Sequence, residues 1–175
     1  MTPQIWTSGK EIIWMVVASI LYIVCFPFNP LVLTGVVEAK SYLALFIIGW
    51  IVWAFGMVLV IAPIVMFPRR GGVPKGKSFV STTRIVDTGI YALVRHPQYT
   101  GGIYSIFVTT LLWYPHWLFA ILGAIGAILT YLSTREEDKR LIEKFGDDYV
   151  AYMNRVPRMN VILGIIRLWR HRKHR

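Results

Sequence analysis

The chain has 175 residues, enough for one domain; 55% are hydrophobic and only 16% are charged. Ordinary soluble domains hold about 45–50% and about 25%, so this composition excludes a soluble globular protein and leaves no room for a separate soluble domain. The formal net charge of +10 does not point to nucleic acid, because the excess lies beside apolar stretches, where basic residues attract anionic membrane lipids.

The first apolar stretch, residues 12–28, is predicted to span the membrane. It follows Lys10-Glu11, has no small-residue cleavage site before Phe26-Pro27 and leads into further apolar sequence, so it reads as a signal anchor. Pro27-Phe28-Asn29-Pro30 ends it, since proline removes a backbone donor and restricts the residue before it. Cys25 is the only cysteine, which excludes an internal disulfide and a thiolate metal cluster. The second predicted span, residues 42–67, exceeds the ~20 residues a bilayer requires, so a tilt or a kink at Pro63 is expected.

Residues 68–97 form a polar, Gly-rich segment, expected to be a functional loop on the cytoplasmic side because of its length and lack of periodicity. The third and fourth spans, residues 98–114 and 117–133, are joined by Tyr114-Pro115-His116 and form an antiparallel hairpin. Ala120, Gly123, Ala124 and Ala127 share one face of the fourth span and predict close helix packing. From Thr134 to Asn154, charges alternate with Leu141, Ile142, Phe145, Tyr149 and Tyr152, which predicts an amphipathic helix at the interface, interrupted near Gly146. Residues 167–175 form a basic tail.

The expected architecture is therefore all-α and integral to the membrane. It has about four transmembrane helices and a C-terminal interfacial amphipathic helix, with residues 134–175 forming that helix and the tail. No Rossmann domain is expected, since no βαβ pattern and no G-x-G-x-x-G after a strand occur. Lys and Arg concentrate in the 69–95 loop and the tail, which places both regions and both termini on the cytoplasmic side.

Two charged motifs lie at the same end of the predicted hairpin. Arg95-His96-Pro97-Gln98-Tyr99-Thr100-Gly101 precedes the third span, and Glu137-Asp138-Lys139-Arg140-Leu141 follows the fourth. Such groups are costly near lipid unless paired or used, and an opposite-charge pair across the helix ends would offset part of that cost. Pro97 at a helix start fixes the chain direction and the positions of its neighbours. No metal site is expected: His171 and His174 lie in the tail, and His116 lies in the Pro-containing turn.

Together with Gly89-Ile90-Tyr91, Phe145-Gly146-Asp147-Asp148-Tyr149, Tyr152 and Val156-Pro157-Arg158, these motifs resemble the isoprenylcysteine carboxyl methyltransferase family, whose wider group includes phospholipid N-methyltransferases. The resemblance covers roughly residues 70–160. It implies an integral membrane methyltransferase that uses S-adenosylmethionine at the cytoplasmic face, with a lipidic acceptor such as an isoprenylcysteine carboxylate or a phospholipid headgroup. His96, Tyr99, Gly89, Tyr91, Gly101, Glu137, Asp138 and Tyr149 become the implied cofactor-binding residues, and Arg95 and Glu137 the implied catalytic pair. Asp138 stands where the family carries a second Glu. Membrane sterol reductases, which use NADPH, share a His-Pro-x-Tyr-x-Gly element and an acidic motif, so a reductase is one alternative. A non-catalytic membrane scaffold is the other.

Overall fold

The computed structural model describes residues 29–77 and 81–173, with side chains as far as Arg170. The predicted first span and Cys25 lie outside the described residues. No strand forms among those that are described.

A short helix, α1 (Pro30–Leu33), starts where Asn29 caps it: the Asn29 Oδ1 accepts the Leu31 N–H at 2.9 Å. The long helix α2 (Leu43–Arg70) has 28 residues and stays helical through Pro63, the expected kink point, and through Pro68. At 1.5 Å per residue it is about 42 Å long, enough to cross a bilayer with tilt. It stops at Gly71, whose N–H donates to the Phe67 carbonyl.

The third predicted span is helical but not uniform. It consists of α3 (Pro97–Gly102), a π-helical segment (Ile103–Val108) and α4 (Thr109–Trp113). The irregularity sits where α2 crosses closely. A Cβ on Gly56 would lie 2.8 Å from the Gly101 carbonyl oxygen and 2.7 Å from the Ser105 nitrogen, so only glycine lets the two backbones approach this far. The Thr109 hydroxyl donates five residues back to the Tyr104 carbonyl, which satisfies backbone that the wider turn displaces.

Helix α5 (Trp117–Phe145) begins at His116, whose Nδ1 accepts the Leu118 N–H. It runs unbroken from the predicted fourth span into the charged stretch, so the boundary expected near Thr134 is no break. The interruption falls at Gly146, at a φ of 60° that favours glycine. The close-packed stripe also differs from expectation. Gly123 and Gly126 are buried against Phe107, whereas Ala120 and Ala124 are exposed. Helices α6 (Asp147–Arg155) and α7 (Val161–Lys173) follow, and α7 takes in much of the predicted tail.

Both α2 and α5 are long and apolar enough to cross a membrane, yet only 17% and 28% of their apolar windows are buried. A helix that formed the core of a soluble protein would be largely covered. These faces instead match lipid.

Candidate functional site

The site begins with a constraint from Pro97. The residue before a proline is driven out of the helical region, and His96 adopts φ −119° and ψ 66°. The Arg95-His96 pair, non-helical, then bonds to the chain beyond α6: the Arg95 N–H donates to the Pro157 carbonyl at 3.0 Å and the His96 N–H to the Arg158 carbonyl at 3.2 Å. Tyr152 adds a third tie, donating its hydroxyl to the Tyr91 carbonyl at 2.7 Å.

At the centre lies Asp138, only 2% exposed. Thr130, Thr134 and Asp138 follow at four-residue spacing along the buried face of α5, which carries the carboxylate inward just beyond the apolar stretch. Its Oδ1 accepts from His96 Nε2 at 2.8 Å and from the Tyr149 hydroxyl at 2.7 Å. Its Oδ2 accepts from Arg95 Nη2 at 3.0 Å and from Arg158 Nε at 2.8 Å. Four donors on one carboxylate use its full acceptor capacity, and because an ionised carboxylate only accepts, His96 carries its proton on Nε2.

Burial alone would raise the Asp138 pKa, but the hydrogen bonds from His96 and Tyr149 and the charges of His96 and Arg95 outweigh it and hold the group well below the ordinary carboxylate range. Burial pushes the Tyr91, Tyr149 and Tyr152 hydroxyls well above theirs, and in Tyr149 the bond to Asp138 adds to it. These phenols therefore stay neutral, and Tyr149 and Tyr152 act as donors, not bases.

Arg95 is buried and spent largely on structure, with Nη1 donating to the Met153 carbonyl at 3.0 Å and Nη2 to Asp138. Its Nε is buried with no hydrogen-bond partner among the described residues. The expected charge pair across the helix ends is present, but Asp138 is the acid in it. Glu137, turned about 100° round the helix from Asp138, is half-buried and meets Arg140 at 3.2 Å.

Beside this network lies a cavity of about 340 Å³, within the range of sites for drug-sized ligands, about 300–1,000 Å³. Tyr91, Arg95, His96, Tyr99, Glu137 and Tyr149 line it. Gly89, Gly101 and Asp138 do not: Gly89 sits at φ 62° against Met66, Gly101 packs on α2, and Asp138 stands behind the wall. The lining also includes Phe67, Tyr152, Phe145, Leu141 and the cations Arg84, Arg140 and Lys144, with Glu137 as its carboxylate. Of these, only Glu137 was among the residues that the motifs implied for the site. Arg140, Leu141 and Lys144 follow Glu137 at three-, four- and seven-residue spacing on one face of α5, a signal that was available. Phe67 and Arg84 carry none: Phe67 lies on α2 and reaches the cavity only because Tyr91 stacks on it, and Arg84 comes from the loop before Tyr91.

Fold and site together describe a helical membrane protein with a buried charge network and an aromatic-walled cavity at one end of its long helices. The chain belongs to the phospholipid methyltransferase family, whose model matches residues 42–148, more than half of the chain. It is 37% identical over 81 residues to the protein-S-isoprenylcysteine O-methyltransferase of Mus musculus, covering 43% of this chain and 27% of that protein. The protein of the same name from Homo sapiens matches to the same extent. To the methanethiol S-methyltransferase of Pseudomonas deceptionensis it is 28% identical over 117 residues, 64% of this chain and 42% of that one. The matches span less than half the length of these relatives. No solved structure matches the chain.

Proposed function

We propose that this protein is an integral membrane methyltransferase that takes its methyl group from S-adenosylmethionine and transfers it to a lipid-borne acceptor. The observation that carries this reading is the convergence of Arg95, His96, Tyr99, Glu137 and Tyr149 on one cavity in a chain of this family.

The residues present suit such a cofactor. Tyr91, Tyr99, Tyr149 and Phe67 offer aromatic faces, which attract a cationic sulfonium, and the volume suits a ligand of that size. When bound, the cofactor supplies an electrophilic methyl group. The protein's part is then to position the acceptor in line and to exclude water. Asp138 acts through others: it fixes the His96 ring and the Arg95 guanidinium at the cavity wall. Glu137 is the carboxylate that faces the cavity and takes a proton where the acceptor is an amine or thiol. A carboxylate acceptor requires no base, and Arg84, Arg140 and Lys144 supply the charge to hold it. The apolar Phe67, Leu141 and Phe145, beside membrane-spanning helices, suit an isoprenylcysteine-like chain or a phospholipid.

The test is calorimetric titration of the purified, detergent-solubilised protein with S-adenosylhomocysteine and NADPH side by side. Saturable binding of S-adenosylhomocysteine alone is expected. Binding of NADPH alone would transfer the cavity to a reductase, and binding of neither would leave a scaffold.

A further inference from the structure

The C-terminal helix α7 presents its apolar residues outward. Gly164 is buried so closely on Leu93 that a Cβ there would collide with the Leu93 carbonyl, and Val161 and Leu168 flank it on the same inner side. On the other side Ile162, Ile165, Ile166 and Trp169, spaced i, i+3, i+4 and i+7, form a continuous stripe. Their exposures are 71%, 54%, 42% and 65%. The stripe is open along Ile162, Ile165 and Ile166. Unlike the lipid-facing sides of α2 and α5, it belongs to a helix of 13 residues, about 20 Å long, too short to cross a hydrocarbon core of about 30 Å.

Charge accompanies the stripe. Arg167 and Arg170 flank it, and the chain continues His171, Arg172, Lys173, His174, Arg175 with no acidic residue after Asp148. An apolar face ending in a tryptophan and bordered by arginines complements an anionic bilayer surface, with the helix in the plane of the headgroups. The position of α7 agrees with this, because its contact with Leu93 lies four residues before Pro97, where the third membrane stretch begins.

We infer that α7 docks on an anionic membrane surface through Ile162, Ile165, Ile166 and Trp169, and that this docking braces the Arg95-His96 segment of the cavity wall. The link is short. The same C-terminal stretch that leads into α7 accepts the Arg95 and His96 amides through Pro157 and Arg158, and Gly164 then presses on Leu93. The inference rests on the membrane placement of the chain and not on methyl transfer.

The test uses the full chain with Cys25→Ser, so that a fluorophore attaches at Ile166→Cys alone, or at the exposed Lys139→Cys as control. Protein is placed in nanodiscs of phosphatidylcholine, or of phosphatidylcholine with phosphatidylserine as a third of the lipid, and quenching by brominated acyl chains is read. Quenching at position 166 but not 139, stronger with phosphatidylserine and reduced about fivefold in partitioning by Arg170→Gln, is expected. Equal quenching in both lipids, a water-exposed label, or a label shielded from lipid and water alike by residues 1–28 or a second copy would each overturn the docking. In the same discs, hydrogen exchange at the Arg95 and His96 amides is expected to slow when phosphatidylserine is present, and unchanged exchange would overturn the brace.

Discussion

The Arg95 guanidinium meets the Asp138 carboxylate at 3.0 Å although 43 residues separate them in the chain, and both side chains are almost fully buried. Arg158, 20 residues further on, meets the same carboxylate at 2.8 Å. One acid thus joins the start of α3, the C-terminal third of α5 and the loop after α6. Removing it leaves two arginines and a histidine facing one another without a counter-charge.

Asp138→Asn is therefore expected to destabilise the protein by about 3–5 kcal/mol, the cost of breaking a buried ion pair from one side. Denaturant unfolding in detergent measures it, and a loss no larger than that of a surface substitution would remove Asp138 from the centre of the fold.

The same carboxylate makes stability depend on pH. Its folded pKa lies below the ordinary value of 3.8, so the unfolded chain binds the proton more readily. The stabilisation is fully present above 3.8 and disappears as pH falls through the lower, folded value. The stability difference between wild type and Asp138→Asn should be constant near neutrality and shrink only below pH 3.8. A difference that closes between pH 5 and 7 would contradict this.

Glu137→Gln should behave in the opposite way. Its partner Arg140 is exposed, and such pairs contribute about 0–1 kcal/mol, so the fold should survive. If Glu137 is the base, turnover with an amine or thiol acceptor should fall about 10²–10⁴-fold. Near-normal turnover in a folded variant would dismiss that role.

Tyr149→Phe removes one of four donors from Asp138 and leaves the ring in place. A loss of about 1.5–3 kcal/mol is expected for a hydrogen bond to a charged group, with a higher Asp138 pKa. Following the acid limb of unfolding in the variant reads both effects, and a limb that coincides with wild type would argue against the bond.

Gly56→Ala and Gly123→Ala form a matched pair. At Gly56 the new methyl meets backbone of Gly101 and Ser105 at 2.7–2.8 Å, whereas at Gly123 it meets only Phe107 at 3.4 Å. Overpacking at the first should cost about 1–3 kcal/mol, and the second should change stability little. Equal unfolding midpoints would mean that α2 and the π-helical segment do not approach this closely.

Most of the helical architecture was legible in the chain, because apolar runs, prolines and glycines act locally. The run ending at Arg70 and the run starting at Trp117 are helices for that reason, and Gly146 interrupts the charged stretch where its left-handed φ requires glycine. The motifs around Arg95, His96, Tyr99 and Glu137 were likewise visible as charges and aromatics at a membrane edge. Which acid pairs with Arg95 was not. Glu137 and Asp138 are neighbours of like charge, and only the rotation of α5 against α3 and α6 decides that one faces the cavity and the other the buried cluster. The outward stripe of α7 was hidden for a similar reason: a basic tail and an amphipathic helix have the same composition there. The side that presses on Leu93 is settled by tertiary contact, since burial belongs to a pair of surfaces and not to a residue.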